Sequence, residues 1–108
     1  MQPVWPQSLF KILTLAQWKE GQEKKILILG DQDETFIHLA EEHQVVKIAK
    51  KFFKDQSQVV IIELDRNKLV GRLIKERNPG GETKYFHLYD GHLPFNAIIQ
   101  TSILNLNN

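Results

Sequence analysis

The sequence predicts one α+β domain made of small mixed or antiparallel sheets and about two helices. Three features carry that expectation. Val59-Val60-Ile61-Ile62 is a strand-sized, β-branched run. Val45, Ile48, Ala49, Phe52 and Phe53 repeat at i, i+3, i+4, i+7 and i+8, an apolar helical stripe. Strand and helix patterns do not alternate strictly, which disfavours a doubly wound sheet. A chain of 108 residues suits one core and not two, so the domain is expected to run over 1–108.

Met1 to Gln7 holds two prolines and no periodicity, and residues 1–8 read as a lead-in. Phe10 to Leu13 reads as a first strand. Thr14-Leu15-Ala16-Gln17 has the spacing of a capping box, so Thr14 is expected to start a short helix that buries Leu15 and Trp18 and stops at Gly21. Ile26-Leu27-Ile28-Leu29 is a wholly apolar run and reads as a buried strand. Gly30-Asp31-Gln32-Asp33 is turn chemistry leading into a strand over Phe36 to Leu39.

The helix carrying the Val45 to Phe53 stripe has Glu41 and Glu42 at its start and Lys50, Lys51 and Lys54 near its end, each favourable against the helix dipole. Val59 to Ile62 reads as a central strand and Asp65 to Lys68 as a turn. Val70 to Glu76 reads as a more exposed strand, joined through the Asn78-Pro79-Gly80-Gly81 turn to a hairpin partner over Tyr85 to Tyr89. Asp90-Gly91 is expected to turn again, Asn96 to Ile103 to form a last strand, and residues 104–108 to fray.

Composition narrows the function classes. Lys+Arg 14 against Asp+Glu 13 leaves +1, which gives no general case for a nucleic-acid partner or an anionic membrane. The stripe of Lys47, Lys50, Lys51 and Lys54 is most simply the solvated face of its helix. The chain has no cysteine, so thiolate metal sites and disulfides are excluded. The four histidines show no HxxH or HxxxH spacing, so no metal site is expected. No apolar run is long enough to cross a bilayer and the N-terminus lacks a signal pattern, so the expected address is the cytoplasm. GxGxxG, GxxxxGK[ST], GxSxG and HExxH are all missing.

The informative pattern is a repeat. Phe36-Ile37-His38-Leu39 and Tyr85-Phe86-His87-Leu88-Tyr89 both read aromatic, apolar, histidine, leucine. Strand alternation sends Ile37, Leu39, Phe86 and Leu88 to one face, and Phe36, His38, Tyr85, His87 and Tyr89 to the other. If the strands are neighbours, the second faces line one site. Imidazole can shuttle a proton near neutral pH or bind ribose hydroxyls and phosphate. Each histidine also fits a partly buried strand residue held by a backbone carbonyl.

Tyr89, beside a turn, is the better candidate of the two tyrosines to stack a planar ligand. Lys11 points away from the face that Phe10 and Ile12 bury, where a cation can meet phosphate. Glu76 can accept from a sugar hydroxyl or stabilise developing positive charge. Lys11 and Glu76 equally suit plain solvated surface.

Lys11-Ile12, Trp18, Phe36-Ile37-His38-Leu39, Gln44, the Phe52 region, Asp65, Glu76, and His87-Leu88-Tyr89 with Gly91 resemble the small bacterial family known as domain of unknown function 952. The likeness runs from about Phe10 to Ile99. The resemblance implies a fold similar to the ADP-ribosyltransferases, which hold NAD between two small sheets. It marks Lys11, His38, Gln44, Glu76, His87 and Tyr89 as cleft-lining positions. The chain departs from the pattern at Ala40, where serine is usual, at Phe86, where proline is usual, and at Asp90, which lengthens the link to Gly91.

The resulting expectation is a nucleotide-like small-molecule site, with NAD as the cofactor or substrate the resemblance implies. Glu76, His38 and His87 would be catalytic, and Lys11, Gln44 and Tyr89 ligand-binding. The other expectation is a non-catalytic module that binds a small molecule or a protein through the same cleft. Alanine at either His38 or His87 is expected to remove binding while changing stability by no more than about 1 kcal/mol.

Overall fold

The computed structural model describes residues 4–107. Residues 1–3 of the expected lead-in, and Asn108 of the expected frayed tail, lie outside them. Two three-stranded antiparallel sheets make up the domain. The first has the order β1 (Ser8–Thr14), β3 (Gln58–Asp65), β6 (Ile98–Asn105); the second has β2 (Ile37–Leu39), β5 (Lys84–His92), β4 (Val70–Arg77). Two helices, α1 (Leu15–Lys24) and α2 (Val45–Phe52), complete the α+β fold.

Alternation along β3 explains the layering. Val60, Ile62 and Leu64 join Leu9 and Leu13 of β1 and meet Ile37, Leu39, Phe86 and Leu88 of the second sheet, forming the main core. Val59 and Ile61 point the other way and pack with Ile12 against Val45 and Ala49 of α2. Both faces of β3 are therefore covered, as its unbroken apolar run requires. The sheets are joined by one bridge: the Phe10 amide donates to the Ala40 carbonyl at 2.8 Å and the Ala40 amide to that of Phe10 at 2.9 Å.

Local chemistry fixes the ends. Thr14 makes the full capping box with Gln17. The helix runs past Gly21, however, to Lys24, and left-handed Lys25 ends it (φ 60). Gly21 serves close approach: the Ile26 amide turns back to its carbonyl at 3.1 Å, and a Cβ at residue 21 would run into the Ile26 carbonyl oxygen. Trp18 is half-buried, stacked on Phe95 with centroids 6.2 Å apart, but Leu15 is exposed on the first turn.

The run Ile26 to Leu29 is not a strand. Thrown off the helix by Lys25, it crosses the core margin as irregular chain, with Leu27 and Leu29 against the core and Ile26 exposed. The α2 stripe buries Val45 and Ala49 and half-buries Ile48 and Phe53, while Phe52 faces solvent because the helix ends there. Glu41 and Glu42 precede α2 in a short 3-10 turn that Glu41 and Gln44 cap reciprocally.

The lead-in is tied down: Trp5 packs edge-on against Phe86 at 5.2 Å, and Arg66 Nε donates to the Pro6 carbonyl at 2.7 Å. Ser8, placed in the lead-in by sequence, already belongs to β1. Leu104 and Asn105, expected to fray, are the end of β6, and the Leu106 amide bonds the Ser57 carbonyl at 2.8 Å.

Asp90-Gly91 also departs from expectation, since β5 continues through both to His92. Asp90 takes a positive φ of 52, and the β4–β5 register shifts between Val70 and Arg72. Gly91 lies against the backbone of Val70 and Gly71, so a Cβ there would overlap the Val70 carbonyl oxygen and fall 2.6 Å from the Gly71 Cα. Gly91→Ala is expected to cost about 3 kcal/mol, read as a lower urea midpoint at unchanged m-value.

Candidate functional site

In the β2–β5 pair, Ile37 lies opposite Leu88, His38 opposite His87 and Leu39 opposite Phe86. The two copies of the repeated pattern thus face one another in register, and the two imidazoles meet with centroids 5.4 Å apart, edge to face. Register across β4 and β5 sets Arg72, Ile74 and Glu76 opposite Tyr89, His87 and Tyr85, on the same face.

Each imidazole is held by its own carboxylate. His38 Nδ1 lies 3.0 Å from Asp33 Oδ1, which also accepts from the His38 backbone amide at 2.9 Å. His87 Nδ1 lies 2.9 Å from Glu76 Oε1, and its Nε2 lies 2.9 Å from Asn78 Oδ1. With Asn78 Oδ1 in that position, Nε2 carries a proton and donates to it. With the Asn78 amide turned over, its N–H would donate to Nε2 of the neutral ring. Glu76 Oε1 accepts a further bond from the Tyr89 hydroxyl.

The two rings differ in access. His87 is 1% exposed, roofed by Phe36, whose ring stacks on it at 4.1 Å and also touches His38 and Tyr89. The His38 side chain is 38% exposed, and its Nε2 has no hydrogen-bond partner among the described residues. Anchored at Nδ1 with Nε2 open, His38 is arranged as a proton acceptor towards solvent. Glu76 is half-buried, and its Oε2 has no hydrogen-bond partner among the described residues either.

Asp33 is the centre of the first dyad. Lys11 Nζ approaches Oδ1 at 3.0 Å and Oδ2 at 2.9 Å, with side chains 6% and 1% exposed. Only the Oδ1 contact has hydrogen-bond geometry; Oδ2 receives charge alone. The same ammonium donates to the His38 carbonyl at 2.9 Å.

Burial works to raise the Asp33 pKa, but the bonds from His38 and the charge of Lys11 outweigh it and hold the carboxyl below the usual range. Burial likewise pulls the Lys11 ammonium below the usual lysine value, which Asp33 offsets only in part. At the other dyad, the Tyr89 and His87 bonds hold Glu76 below its usual value. The Glu76 carboxylate in turn holds the Tyr89 hydroxyl above the usual phenol value.

Of the residues singled out in the sequence, His38, His87, Glu76 and Tyr89 converge. Lys11 and Gln44 do not join them. Lys11 does point away from Phe10 and Ile12, but the face it enters is the covered one between Leu9 and Leu13, so its charge meets Asp33 and no open cleft. Buried Gln44 ties chain to chain: its Oε1 accepts from the Glu41 amide at 3.0 Å and its Nε2 donates to the Lys84 carbonyl at 3.0 Å.

Asp33, Asn78 and Arg72 were missed. The first two looked like turn residues, and the spacing of an acid five positions before His38 was the available signal for Asp33. The exposed Arg72 guanidinium stands 5.2 Å over the Tyr89 ring and 3.3 Å from Asp90. His43 and His92 are exposed and away from the pair. No group of three or more His, Asp or Glu able to hold a metal occurs among the described residues. Two surface hollows, of about 420 and 460 Å³, are lined by Trp18, Lys25 and Phe95 and by Trp5, Glu41 and Lys75 with their neighbours, and contain neither histidine of the pair.

Fold and face together define a class: a two-sheet α+β domain carrying paired histidine–carboxylate dyads on a strand pair. Residues 12–101 match the family described as "Protein of unknown function (DUF952)", and the chain belongs to that family. It is also similar to the protein CC0527 from Caulobacter crescentus. The crystal structure of CC0527 superposes with a TM-score of 0.74 at 26% identity, over 91% of this chain and 86% of that one. Its solution NMR structure gives 0.73 at 25% identity, over 93% and 86%. No curated protein matches the chain.

The environments predict different costs for the two histidines, where the sequence pattern alone predicted equal small ones. His38→Ala should change stability by no more than about 1 kcal/mol. His87→Ala, which empties a covered site and strands its partners, should cost about 2–3 kcal/mol in the same chemical denaturation series. Asp33→Asn leaves a buried ammonium unpaired and should cost about 3–5 kcal/mol at neutral pH. Because the folded-state pKa of Asp33 is depressed, its contribution is present above the ordinary carboxylate pKa and lost as pH falls through the folded value. The gap between wild type and D33N should therefore narrow on acidification, measured as urea midpoint against pH.

Proposed function

We propose that the paired-histidine face takes a nucleotide-like small molecule of the NAD or ADP-ribose type, with His38 as its acid–base group. The observation that carries this reading is the in-register His38–His87 pair, each ring anchored at Nδ1 by a separate carboxylate while His38 Nε2 stays open. A pair of dyads this specific exceeds what packing two strands needs, and perturbed titratable groups gathered on one face favour a site.

In the transferase form of the reading, Tyr89 stacks the base or nicotinamide. The glycosidic carbon–nitrogen bond breaks, and the leaving base keeps the bonding electron pair. The Glu76 carboxylate stabilises the oxocarbenium-like sugar. His38 Nε2 accepts the proton of the incoming hydroxyl or water. Arg72, exposed beside Tyr89, replaces Lys11 as the cation for phosphate. The ADP-ribosyltransferase-like fold that the sequence resemblance implies would favour this substrate class, by analogy alone.

The second reading, a non-catalytic binding module, is favoured by one feature. Phe36 covers His87, so one imidazole of the two is reachable from solvent.

A thermal-shift series with NAD, ADP-ribose, nicotinamide, nucleotides and phosphorylated sugars tests both. A ligand at a hundred times its dissociation constant should add about 2.7 kcal/mol. That gain should vanish in His38→Ala and weaken in Arg72→Ala. Release of nicotinamide from NAD, lost in Glu76→Gln, supports transfer; retained ligand without turnover supports the binding module. A wild-type protein stabilised by none of these compounds would overturn the ligand class.

A further inference from the structure

Strands β6 and β4 are both sheet edges, yet they are built in opposite ways. Strand β4 carries Arg72, Lys75, Glu76 and Arg77, and its start is kinked at Gly71 (φ 128). Charges and kinks of this kind are the usual devices that stop an edge from pairing with another chain. Strand β1, the other edge of the first sheet, is stitched to Ala40.

Strand β6 has no such protection along Ile98–Asn105, beyond a bulge at its start opposite Glu63 and Leu64. It contains no charge, proline or glycine, and no Asp, Glu, Lys or Arg occurs from Gly91 to Asn108. It is paired with β3 on one side only. Five consecutive residues, Ile99 to Ile103, are exposed, and two of them are large and apolar: Ile99 at 54% and Ile103 at 53%. An uncharged, β-prone, half-apolar edge of eight residues is a pairing surface.

We infer that β6 is the docking edge for a second copy of this chain, pairing antiparallel with its own counterpart about a two-fold axis at Thr101. The spacing selects this occupant. In a two-fold antiparallel pair each residue faces the one equally far on the other side of the axis. Ile99 and Ile103 stand two residues either side of Thr101, so each would face the other in the partner copy, and both exposed apolar side chains are covered twice over. The remaining facing pairs are Gln100 with Ser102 and Ile98 with Leu104, all uncharged. Self-pairing brings like residues together at the axis, which an uncharged strand tolerates and a charged one does not. Two first sheets then form one continuous six-stranded sheet, with the histidine faces outside the junction.

Sedimentation equilibrium of the full chain over rising concentration, beside Thr101→Lys and Thr101→Glu, tests this directly. Thr101 is exposed, and thermal melts check that each variant keeps its fold. The wild type should double in mass as concentration rises. T101K and T101E should each stay monomeric, because like charges meet at the axis, and an equimolar mixture of the two should recover the dimer. A wild type that stays monomeric throughout overturns the proposal. So does a dimer that survives in both single variants, which would place the contact elsewhere, and so does a mixture that fails to recover. A monomer that instead captures an extended peptide on β6 assigns the edge to another partner and overturns it equally.

Discussion

The ion pair between Lys11 and Asp33 is the constraint on which the rest of the site depends. Both side chains are almost wholly buried, so each charge is tolerated only because the other is present, with the His38 backbone and ring completing the bonds. The pair links β1 of the first sheet to the short 3-10 turn, Asp31–Asp33, that precedes β2 in the second. It therefore fixes how the sheets meet and the direction in which His38 points. The clamp between the sheets and the orientation of the His38 ring are the same interaction.

The two dyads divide the chemistry between them. Asp33 is buried and already engaged by Lys11, so it stays ionised and holds His38 without reaching the surface itself. Glu76 is half-exposed and shares one oxygen between His87 and Tyr89, while the other has no hydrogen-bond partner among the described residues. His38 and Glu76 are thus the groups that solvent can reach, while His87 and Asp33 stand behind them. Phe36 lies across His38, His87 and Tyr89 and so limits how much of the face is open. Arg72 supplies the nearby positive charge, exposed over the Tyr89 ring and 3.3 Å from Asp90.

Much of this was legible in the sequence because local signals and burial agreed. The Thr14 capping box, the β-branched β3 run, the Val45 to Phe53 stripe and the Asn78–Gly81 hairpin each specify one conformation, and all four elements form, although Phe52 of the stripe faces solvent. The repeat around His38 and His87 also carried its message, since matched alternation puts both imidazoles on one face whenever the strands pair. What failed required knowledge of the far side of an element. Alternation says that Lys11 faces away from Ile12, but not that Leu9 and Leu13 make that face a second interior. The run Ile26 to Leu29 has the composition of a strand, yet left-handed Lys25 sends it where no partner strand runs. Asp33 has the local signature of a turn former, and its ion pair spans 22 residues. Asp90-Gly91 looked like a turn because its residue types serve bulges equally well.

The most direct measurement of the central claim is a long-range proton–nitrogen correlation spectrum of the histidine rings, at a pH where His38 is neutral. The carboxylate of Asp33 should hold the proton on Nδ1 and leave the Nε2 lone pair free, and D33N should lose that preference. A neutral His38 that carries its proton on Nε2 in the wild-type protein, or a tautomer unaffected by D33N, would contradict the account.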